Sequence, residues 1–369
     1  MGTILKHMAI IAFTADGLEM AQRIAAAFEP TDDATMSAAT AAADASTTSA
    51  ADSVQWHCSV AAGFGPDKVP HQEWTAENFS ISDALVCVGA TVIAIRSIAP
   101  YVNSKVVDPA VLTVDVAGTW CIPLLSGHLG GANEIAQHLA SAIGATATIT
   151  TATDVHDCWA VAVWAKANHL HVANSRAIKV VSSRILAGEP VLVYSPLAIA
   201  GDIPAGLTMT DDADLAQVVI HEDLPEDISS ADFPADQLHL VAQTIVAGMG
   251  CRKGVVVEVL DQALTDALAE AQVNPLRLRQ ISSIDVKSDE PGLLELARMR
   301  RVPFAIYTAE ELAEIEGVQN TSDFVASAVG VDNVCERSAL ASGGTLIFEK
   351  HIYDRSTVAL AQVQPALAW

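Results

Sequence analysis

The sequence predicts an α/β protein made of two α/β units with mainly parallel sheets, joined by a less regular middle segment. Towards both ends of the chain, apolar runs of strand length alternate with amphipathic stretches of helix length, as in βαβ units. Between them the signals are weaker and end in the acidic, proline-containing stretch 221–236. We therefore expect an N-terminal α/β domain over residues 1–155, a middle segment over 156–237 and a C-terminal α/β domain over 238–369.

The composition limits the classes of partner. The 369 residues include 20 Lys and Arg against 44 Asp and Glu, a net charge of −24 that repels nucleic-acid phosphates and anionic lipid. The longest apolar stretch, residues 84–95, is shorter than the roughly 20 residues of a membrane-spanning helix. The six cysteines lie far apart without a CxxC pair, which argues against a disulfide framework or a metal site and fits a reducing cytoplasm.

The N-terminal domain is expected to open as strand, turn and helix. Ala84–Val88 is almost continuously apolar, which is typical of a strand covered on both faces. The apolar runs on either side of Ala117-Gly118 predict a hairpin. Residues 30–53 consist mostly of Ala, Ser, Thr and Asp, which predicts a low-complexity insertion to which we assign no function.

Residues 124–144, LLSGHLGGANEIAQHLASAIG, contain the most specific local motif. The apolar run stops at Ser-Gly-His, passes two glycines and becomes a helix, and residues 145–154 then alternate as a strand that ends at Asp154. Strand, helix and strand form a βαβ unit, so the loops that follow its two parallel strands should lie at one sheet edge, where ligands bind in open α/β sheets. We therefore expect His128 and Asp154 to face one crevice.

Two interpretations of SGHLGGAN compete. For the glycines alone, a tight strand-to-helix turn is the simpler one, although successive N–H groups ahead of a helix also make an anion site. His128 favours a functional role, because an imidazole titrates near neutral pH and can move a proton. Ser126 is not surrounded by a G-x-S-x-G elbow, so we interpret it as a hydrogen-bonding residue rather than a nucleophile.

A second glycine loop, GMGCRKG at 248–254, is expected to follow a strand that starts near Leu238 and to open a helix from Val255. In so acidic a chain, adjacent Arg252 and Lys253 at a helix N-terminus suggest a carboxylate-rich ligand, and two solvated cations explain the pattern equally well. Cys251 is expected to be a small buried residue rather than an activated thiol. Further cations that a ligand could use are Arg96 and Lys105, each ordinary when taken alone, and Lys287. For Lys287 the favoured explanation is that its charged cluster caps the next helix.

Long motifs resemble one family. IRSIAPYVNSKVVDPAVLTVDVAGTWCIPLLSGHLGGANEIAQHLASAIGATATITTATD is similar to the CbiG family, the cobalt-precorrin 5A hydrolases of anaerobic cobalamin biosynthesis. GMGCRKG, SSIDVKSDEPGLLELA, NVCERSAL and STVALA resemble the C-terminal module of the same family. The resemblance covers roughly residues 80–160 and 245–362, whereas residues 30–53 depart from the family pattern.

The resemblance implies a specific reaction. The family's substrate is a cobalt-bearing, ring-contracted tetrapyrrole with many carboxylates and a δ-lactone. Water opens the lactone, and the extruded meso carbon leaves with its methyl group as acetaldehyde to give cobalt-precorrin 5B. The cobalt belongs to the substrate, so no cofactor and no protein metal site are expected, and a homodimer is compatible with the sequence.

We hypothesise the following roles for residues in the matching motifs. His128 is the general base, and Asp154 orients it or serves as an alternative base. N–H groups around Gly130 and Gly131 stabilise the oxyanion or grip a carboxylate, with Ser126 and Asn133 beside them in the substrate site. The candidate carboxylate clamps are Arg96, Lys105, Arg252, Lys253 and Lys287.

Two other functions remain open at this point. A non-catalytic corrinoid-binding or carrier protein of the same pathway would share the C-terminal module, although the intact SGHLGGAN motif argues against it. A nucleotide-dependent enzyme would use the glycine loops, but the chain lacks GxGxxG with a ribose-binding acid and lacks a Walker lysine.

Overall fold

The structure is a computed structural model that describes residues 2–28, 53–104, 107–156, 158–319 and 333–369. Apart from residue 53, the predicted insertion at 30–53 lies outside these residues. The described chain divides into two compact units. Of the described residues, those within 6–28 and 54–163 form the N-terminal unit, and those within 2–5, 53, 164–319 and 333–369 form the C-terminal unit.

The N-terminal unit alternates strands and helices. The first strand of the chain begins in the C-terminal unit, and the last helix of this series ends there. In chain order the elements are β1 (Thr3–Ala12), α1 (Ala15–Phe28), β2 (Ser53–Ala62), α2 (His71–Asn78), β3 (Ala84–Val88), α3 (Thr91–Ile98), β4 (Ala110–Val114), β5 (Trp120–Leu125), α4 (Ala132–Ile143), β6 (Thr146–Ala147), α5 (Ala152–Val155) and α6 (Val161–Ala167).

The sheet of this unit has the order β1-β3-β4-β5-β6, with β2 paired to β1. Strands β1, β3 and β4 are parallel, β4 and β5 form the predicted antiparallel hairpin, and β6 is parallel to β5 as predicted. Because β5 runs against β4, with Leu125 opposite Val111, β5 ends at the edge where β4 begins. The loop after β5 therefore lies at that edge.

Alternating residues of β1 and β3 bury on opposite faces of the sheet. Ile10 and Val86 belong to a cluster that includes Ile24 of α1 and Leu139 of α4. Their neighbours along the strands pack on the other side, in a cluster with Trp74 of α2 and residues of α3. The prediction that Ala84–Val88 is covered on both faces is confirmed, since all five residues are buried.

The predicted strand ending at Asp154 is wrong. Only Thr146 and Ala147 form a strand, and Ala152–Val155 is a short helix. The Thr148 N–H still donates to the Cys121 carbonyl, at 2.9 Å. The next partner along β5 on that side is Pro123, which has no N–H to continue the ladder, so the pairing ends there.

The described residues of the C-terminal unit form more strands than helices. After α6 the elements are β7 (Leu170–Val172), α7 (Ile178–Leu186), β8 (Val191–Tyr194), β9 (Ile199–Ala200), β10 (Leu207–Met209), β11 (Val218–His221), β12 (Leu238–Ala242), β13 (Ile245–Cys251), α8 (Val257–Glu270), β14 (Leu278–Ile284), α9 (Pro291–Arg300), β15 (Phe304–Tyr307), α10 (Ala309–Ala313), α11 (Val334–Leu340), β16 (Thr345–Tyr353), β17 (Ser356–Gln362) and β18 (Leu367–Ala368).

Its larger sheet has the order β16-β17-β13-β14-β15, in which β13, β14 and β15 are parallel and β17 is antiparallel to β13. Thr3 and Ile4 of β1 pair with β15. A second sheet, β10-β8-β11-β12-β7, is mostly parallel, and β18 pairs with β9. The predicted α/β class with mostly parallel strands is confirmed, and the middle segment contributes four strands to the second sheet.

The strand predicted from Leu238 into a glycine loop is two strands instead. Leu238–Ala242 pairs with β11, whereas Ile245–Cys251 pairs with β14 and β17, so the break at residues 243–244 separates two sheets. Gly248 and Gly250 lie inside β13 and not in a loop.

Among the described residues no helix has the length and apolar character needed to cross a membrane.

Candidate functional site

The segment from Ser126 to Asn133, the histidine loop, connects β5 to α4. Its own carbonyls hold it: the Ala132 N–H donates to the Ser126 carbonyl at 3.1 Å, and the Asn133 N–H donates to the Gly127 carbonyl at 3.0 Å. Gly131, with φ of 80°, adopts the left-handed conformation just before the helix. The loop is therefore a compact turn with a defined conformation.

Ser126 anchors this turn. Its φ of 58° is in the left-handed region, where a side chain costs roughly 1–2 kcal/mol, and the residue is buried. Its hydroxyl donates to the Asp108 carbonyl at 2.9 Å, which ties the loop to the start of β4. The structure thus places Ser126 as a hydrogen-bonding residue, with its hydroxyl occupied by the protein backbone.

His128 is half-buried at the turn, and its Nε2 lies 3.4 Å from the Oγ1 of buried Thr153. Which atom donates depends on the tautomer of the ring. This contact joins the histidine loop to the segment after β6, and the parallel β5–β6 pairing brings both to the same edge of the sheet. Asp154 follows Thr153 in α5, and its side chain lies outside the described part of the structure.

Asn133 makes a second link between the same two segments. Its Nδ2 donates to Thr151 Oγ1 at 2.7 Å, and the residue is buried. Thr151 and Thr153 were not predicted as partners, although both stand near the end of residues 145–154, which were predicted to reach this edge. The position of Thr153 directly before the predicted acid Asp154 was the signal in the sequence that could have indicated it.

The N–H groups predicted to bind an anion differ in their contacts. The Gly131 N–H donates to the His128 carbonyl at 3.0 Å and so belongs to the turn itself. Within the described ranges, the N–H groups of Leu129 and Gly130 have no acceptor. A side chain at Gly130 would collide with Ser126, so this close approach requires glycine.

The remaining predicted residues of this unit lie near the same edge or outside the description. Helix α3 connects the end of β3 to the start of β4, so Arg96, exposed in its last turn, lies towards the edge where β4 begins. Lys105 is outside the described residues. Buried Asp108 precedes β4, and its carboxylate accepts the Asn103 N–H at 3.0 Å.

In the C-terminal unit, two loops follow the parallel strands β13 and β14 and meet at one sheet edge. Lys287 Nζ lies 2.9 Å from Glu290 Oε2, and Glu290 Oε1 accepts the Gly254 N–H at 2.7 Å. Burial alone would raise the pKa of Glu290, but these two hydrogen bonds and the nearby Lys253 charge lower it. Lys287 therefore holds the loop through Glu290, while Arg252 and Lys253 are exposed.

Cys251, between these loops, is not an activated thiol. Burial raises its pKa, and the opposing charges of Lys287 and Arg355 do not reverse that direction. Among the described residues, which include all six cysteines, no disulfide is formed. In the described chain, no group of three or more His, Cys, Asp or Glu side chains is arranged to hold a metal ion.

Fold and site together define an α/β protein with a histidine-bearing turn at one sheet edge and a pair of cationic loops in a separate unit. Residues 73–154 match the family model for the cobalamin synthesis G N-terminal region, and residues 245–361 match that for the cobalamin synthesis G C-terminus. The histidine loop lies in the first match and the cationic loops lie in the second.

Relatives that are similar to large parts of the chain agree with these matches, as does one that is similar to about a third of it. The chain is 36% identical over 300 residues to a cobalt-precorrin-5A hydrolase of Salmonella typhimurium, covering 78% of this chain and 84% of that protein. It is 29% identical over 295 residues to the enzyme of the same name from Priestia megaterium, covering 76% and 77%. Protein CobE of a Sinorhizobium species is 36% identical over 121 residues, which is 32% of this chain and 79% of CobE. The chain belongs to the CbiG family, that of the cobalt-precorrin-5A hydrolases.

Proposed function

We propose that the protein hydrolyses the δ-lactone of cobalt-precorrin 5A and releases acetaldehyde, giving cobalt-precorrin 5B in anaerobic cobalamin biosynthesis. Family membership supports the reaction. The structural observation that carries the proposal is His128, placed on a turn that the Ser126–Asp108 and Asn133–Thr151 hydrogen bonds hold in position. Such a support keeps a general base in a fixed geometry.

Lactone opening needs a base for water and donors for the oxyanion. In the proposed step, the ring nitrogen of His128 that carries the lone pair takes a proton from water as the water oxygen bonds to the lactone carbonyl carbon. The N–H groups of Leu129 and Gly130 donate to the carbonyl oxygen as it gains negative charge. The protonated imidazole then gives its proton to the departing ring oxygen, leaving a carboxylic acid and an alcohol.

Acetaldehyde release follows from the freed alcohol. A base removes the hydroxyl proton, the C–O bond becomes a carbonyl, and the bond between this carbon and the macrocycle breaks. The electron pair passes to the macrocycle, which takes up a proton. We assign His128 as this base and Asp154 as its orienter or as an alternative base.

Carboxylate recognition is the second part of the proposal. A net charge of −24 gives no long-range attraction for a polyanionic substrate, so local cations have to supply it. We propose that the substrate site also includes Ser126, Gly131 and Asn133, which shape the turn. The cations proposed to contact substrate carboxylates are Arg96, Lys105, Arg252, Lys253 and Lys287.

The cobalt ion in this proposal arrives with the substrate, and the protein supplies no cofactor of its own. We further propose that the protein acts in the cytoplasm on this small-molecule substrate, without a nucleic-acid or membrane partner. A homodimer is the oligomeric state to be tested.

The decisive experiment replaces His128 with alanine and measures acetaldehyde released from cobalt-precorrin 5A. We expect turnover to fall about 100- to 10,000-fold, because positioned acid–base groups contribute that much. The matched control is His138→Gln, which removes another imidazole in α4 that packs against Phe28. This control should retain turnover.

Full turnover by a folded His128→Ala protein would eliminate His128 as the base. Wild-type protein that binds the corrinoid but releases no acetaldehyde would instead favour the carrier function.

A further inference from the structure

A cluster of four cations, Arg252, Lys253, Lys287 and Arg355, occurs in the C-terminal unit where three chain segments meet. Strand β13 ends at Cys251, opposite Ser356 at the start of β17, so the β16–β17 turn lies beside the loop after β13. The Arg252 N–H donates to the Arg355 carbonyl at 3.0 Å, which fixes the turn to this loop. Lys287 lies in the loop after β14, and its charge and that of Arg355 both act on Cys251 at the end of β13.

The side chains of this cluster differ in what they contact. Lys287 is paired with buried Glu290, at 2.9 Å. The side chains of Arg252, Lys253 and Arg355 are exposed and form no ion pair within the described ranges. Three unpaired cations at one edge are a marked departure in a chain with a net charge of −24.

Hydrogen bonds hold the backbone beneath these three cations. Glu290 holds the Gly254 N–H, so the loop that carries Arg252 and Lys253 is tied to the start of α9. Arg355 has a φ of 55°, which is the left-handed conformation of a tight hairpin, and its carbonyl is bonded. The backbone of the three cationic residues is therefore held in place before a ligand arrives, and only their exposed side chains have to be ordered on binding.

Carboxylates also occur at this edge and limit the choice of ligand. Asp285 Oδ1 accepts the Val286 N–H, whereas Asp289 and Asp354 are exposed. A single anion would gain little from three cations beside two exposed carboxylates. A ligand with several spaced carboxylates could contact the three cations separately, and Arg355 presents a planar fork that fits one carboxylate in a bidentate pair.

We propose that the C-terminal unit carries its own polycarboxylate-binding site, formed by Arg252, Lys253 and Arg355, and that Arg355 is a specificity residue for carboxylated corrinoids. This inference rests on the proposed function for the identity of the ligand. It adds Arg355 to the proposed substrate-binding residues, and it gives Lys287, proposed above as a substrate contact, the further role of supporting the loop through Glu290.

The test uses the full-length protein and a corrinoid that lacks the lactone. Cobyrinic acid is such a polycarboxylate, and its fully methyl-esterified form has the same ring without the charges. Binding is measured by titration calorimetry at low and at physiological salt. We expect the acid to bind, the ester to bind at least about tenfold more weakly, and added salt to weaken the acid alone.

Variants then locate the site. Arg355→Gln should weaken binding of cobyrinic acid about tenfold, and Asp354→Asn should strengthen it. The matched control is Lys179→Gln, which removes an exposed cation from α7 of the same unit and should leave binding unchanged. An unfolding temperature equal to that of the wild type shows that each variant is intact.

Equal binding of acid and ester, or an Arg355→Gln protein that binds like the wild type, would overturn the inference. Because this assay needs no turnover, it decides the inference even if acetaldehyde release is never observed. Where turnover is observed, Arg355→Gln should raise KM and leave kcat within about twofold, which separates it from the His128 variant.

Discussion

The two glycine motifs of this chain look alike in sequence and differ in structure. SGHLGGAN is a true strand-to-helix turn, in which Gly131 takes the left-handed conformation and Gly130 lies against Ser126. In GMGCRKG, Gly248 and Gly250 continue β13. A side chain at Gly248 would collide with the Cys335 carbonyl of α11, so this glycine lets a helix backbone pack directly on a strand.

The comparison shows that glycine has two separate physical uses. In the histidine loop it provides backbone conformations and close turns that place His128 beside Thr153. In β13 glycine leaves room for the backbone of the neighbouring helix. The loop that carries Arg252 and Lys253, here called the cationic loop, begins only after Cys251. Substitutions in SGHLGGAN should therefore lower mainly activity, whereas substitutions in GMGCRKG should lower mainly stability.

The largest stability effect should come from Gly248→Ala. The added methyl would meet the Cys335 carbonyl and lie within 2.7 Å of the Ala339 nitrogen, so α11 has to move away from the sheet. We expect a loss of about 3 kcal/mol, at the upper end for overpacking, measured by urea unfolding. Gly250→Ala is the control, because its new methyl meets only the Thr357 hydroxyl, at 2.8 Å. If both variants were equally stable, close packing would not explain Gly248.

Gly130→Ala should lower activity more than stability, which is the opposite of Gly248→Ala. Its methyl would collide with Ser126 inside the turn, so the loop has to shift and carry His128 with it. A displacement of about 1 Å at a reacting group can cost about 100-fold in rate, and we expect acetaldehyde release to fall by that factor. The free energy of unfolding should fall by only about 1 kcal/mol. A variant with normal turnover would show that the conformation of the turn does not set the rate.

Glu290→Gln should loosen the cationic loop without touching the histidine loop. The amide oxygen of the new side chain can still accept the Gly254 N–H, but the ion pair with Lys287 is lost, and we expect a cost of about 2 kcal/mol. The pKa of Glu290 is lowered in the folded protein, so its contribution is complete well above pH 4.5 and declines as the pH falls through the folded pKa.

Hydrogen exchange at residues 252–256 measures this effect. Protection in the wild type should decrease below about pH 4.5, the usual pKa range of a glutamate, and Glu290→Gln should remove that dependence. Asp289→Asn is the control, since Asp289 is exposed. An unchanged pH profile in Glu290→Gln would mean that another group controls the loop.

Local patterns predicted much of the fold. The continuous apolar run of β3 and the parallel β5–β6 pair follow from hydrophobic patterning and βαβ connectivity. The end of β6 depended on Pro123 in the neighbouring strand, and the division of residues 238–251 into two strands depended on which sheet each half joined. Both are tertiary effects that a single stretch of sequence does not contain.

The sites show the same limit. His128 stands out in its motif, but Thr153 became its neighbour only through the β5–β6 pairing. Arg355 was missed because no motif marks it. A hairpin about a hundred residues further along the chain brings its backbone to Arg252. Long-range pairing therefore decides which cations lie together, whereas local sequence only supplies the candidates.

The smallest stability effect is expected for Ser126→Ala. This variant tests whether the Ser126 hydroxyl is structural or acts as a nucleophile. Ser126→Ala removes the hydrogen bond to the Asp108 carbonyl, so we expect a loss of about 1 kcal/mol in unfolding free energy. Turnover should stay within about tenfold of the wild type, because His128 activates water and not this hydroxyl. Ser97→Ala is a matched control, since it removes another buried hydroxyl that donates to a carbonyl, that of Ile93.

Equal stability losses in the two serine variants, with a modest drop in turnover only for Ser126→Ala, would confirm that Ser126 acts through the turn. A loss of turnover as large as that of His128→Ala would instead identify Ser126 as a nucleophile. Ser126 would then form a covalent intermediate with the lactone carbonyl. The two loops would differ in chemistry as well as in backbone conformation, because the histidine loop would react with the substrate and the cationic loop would only bind it.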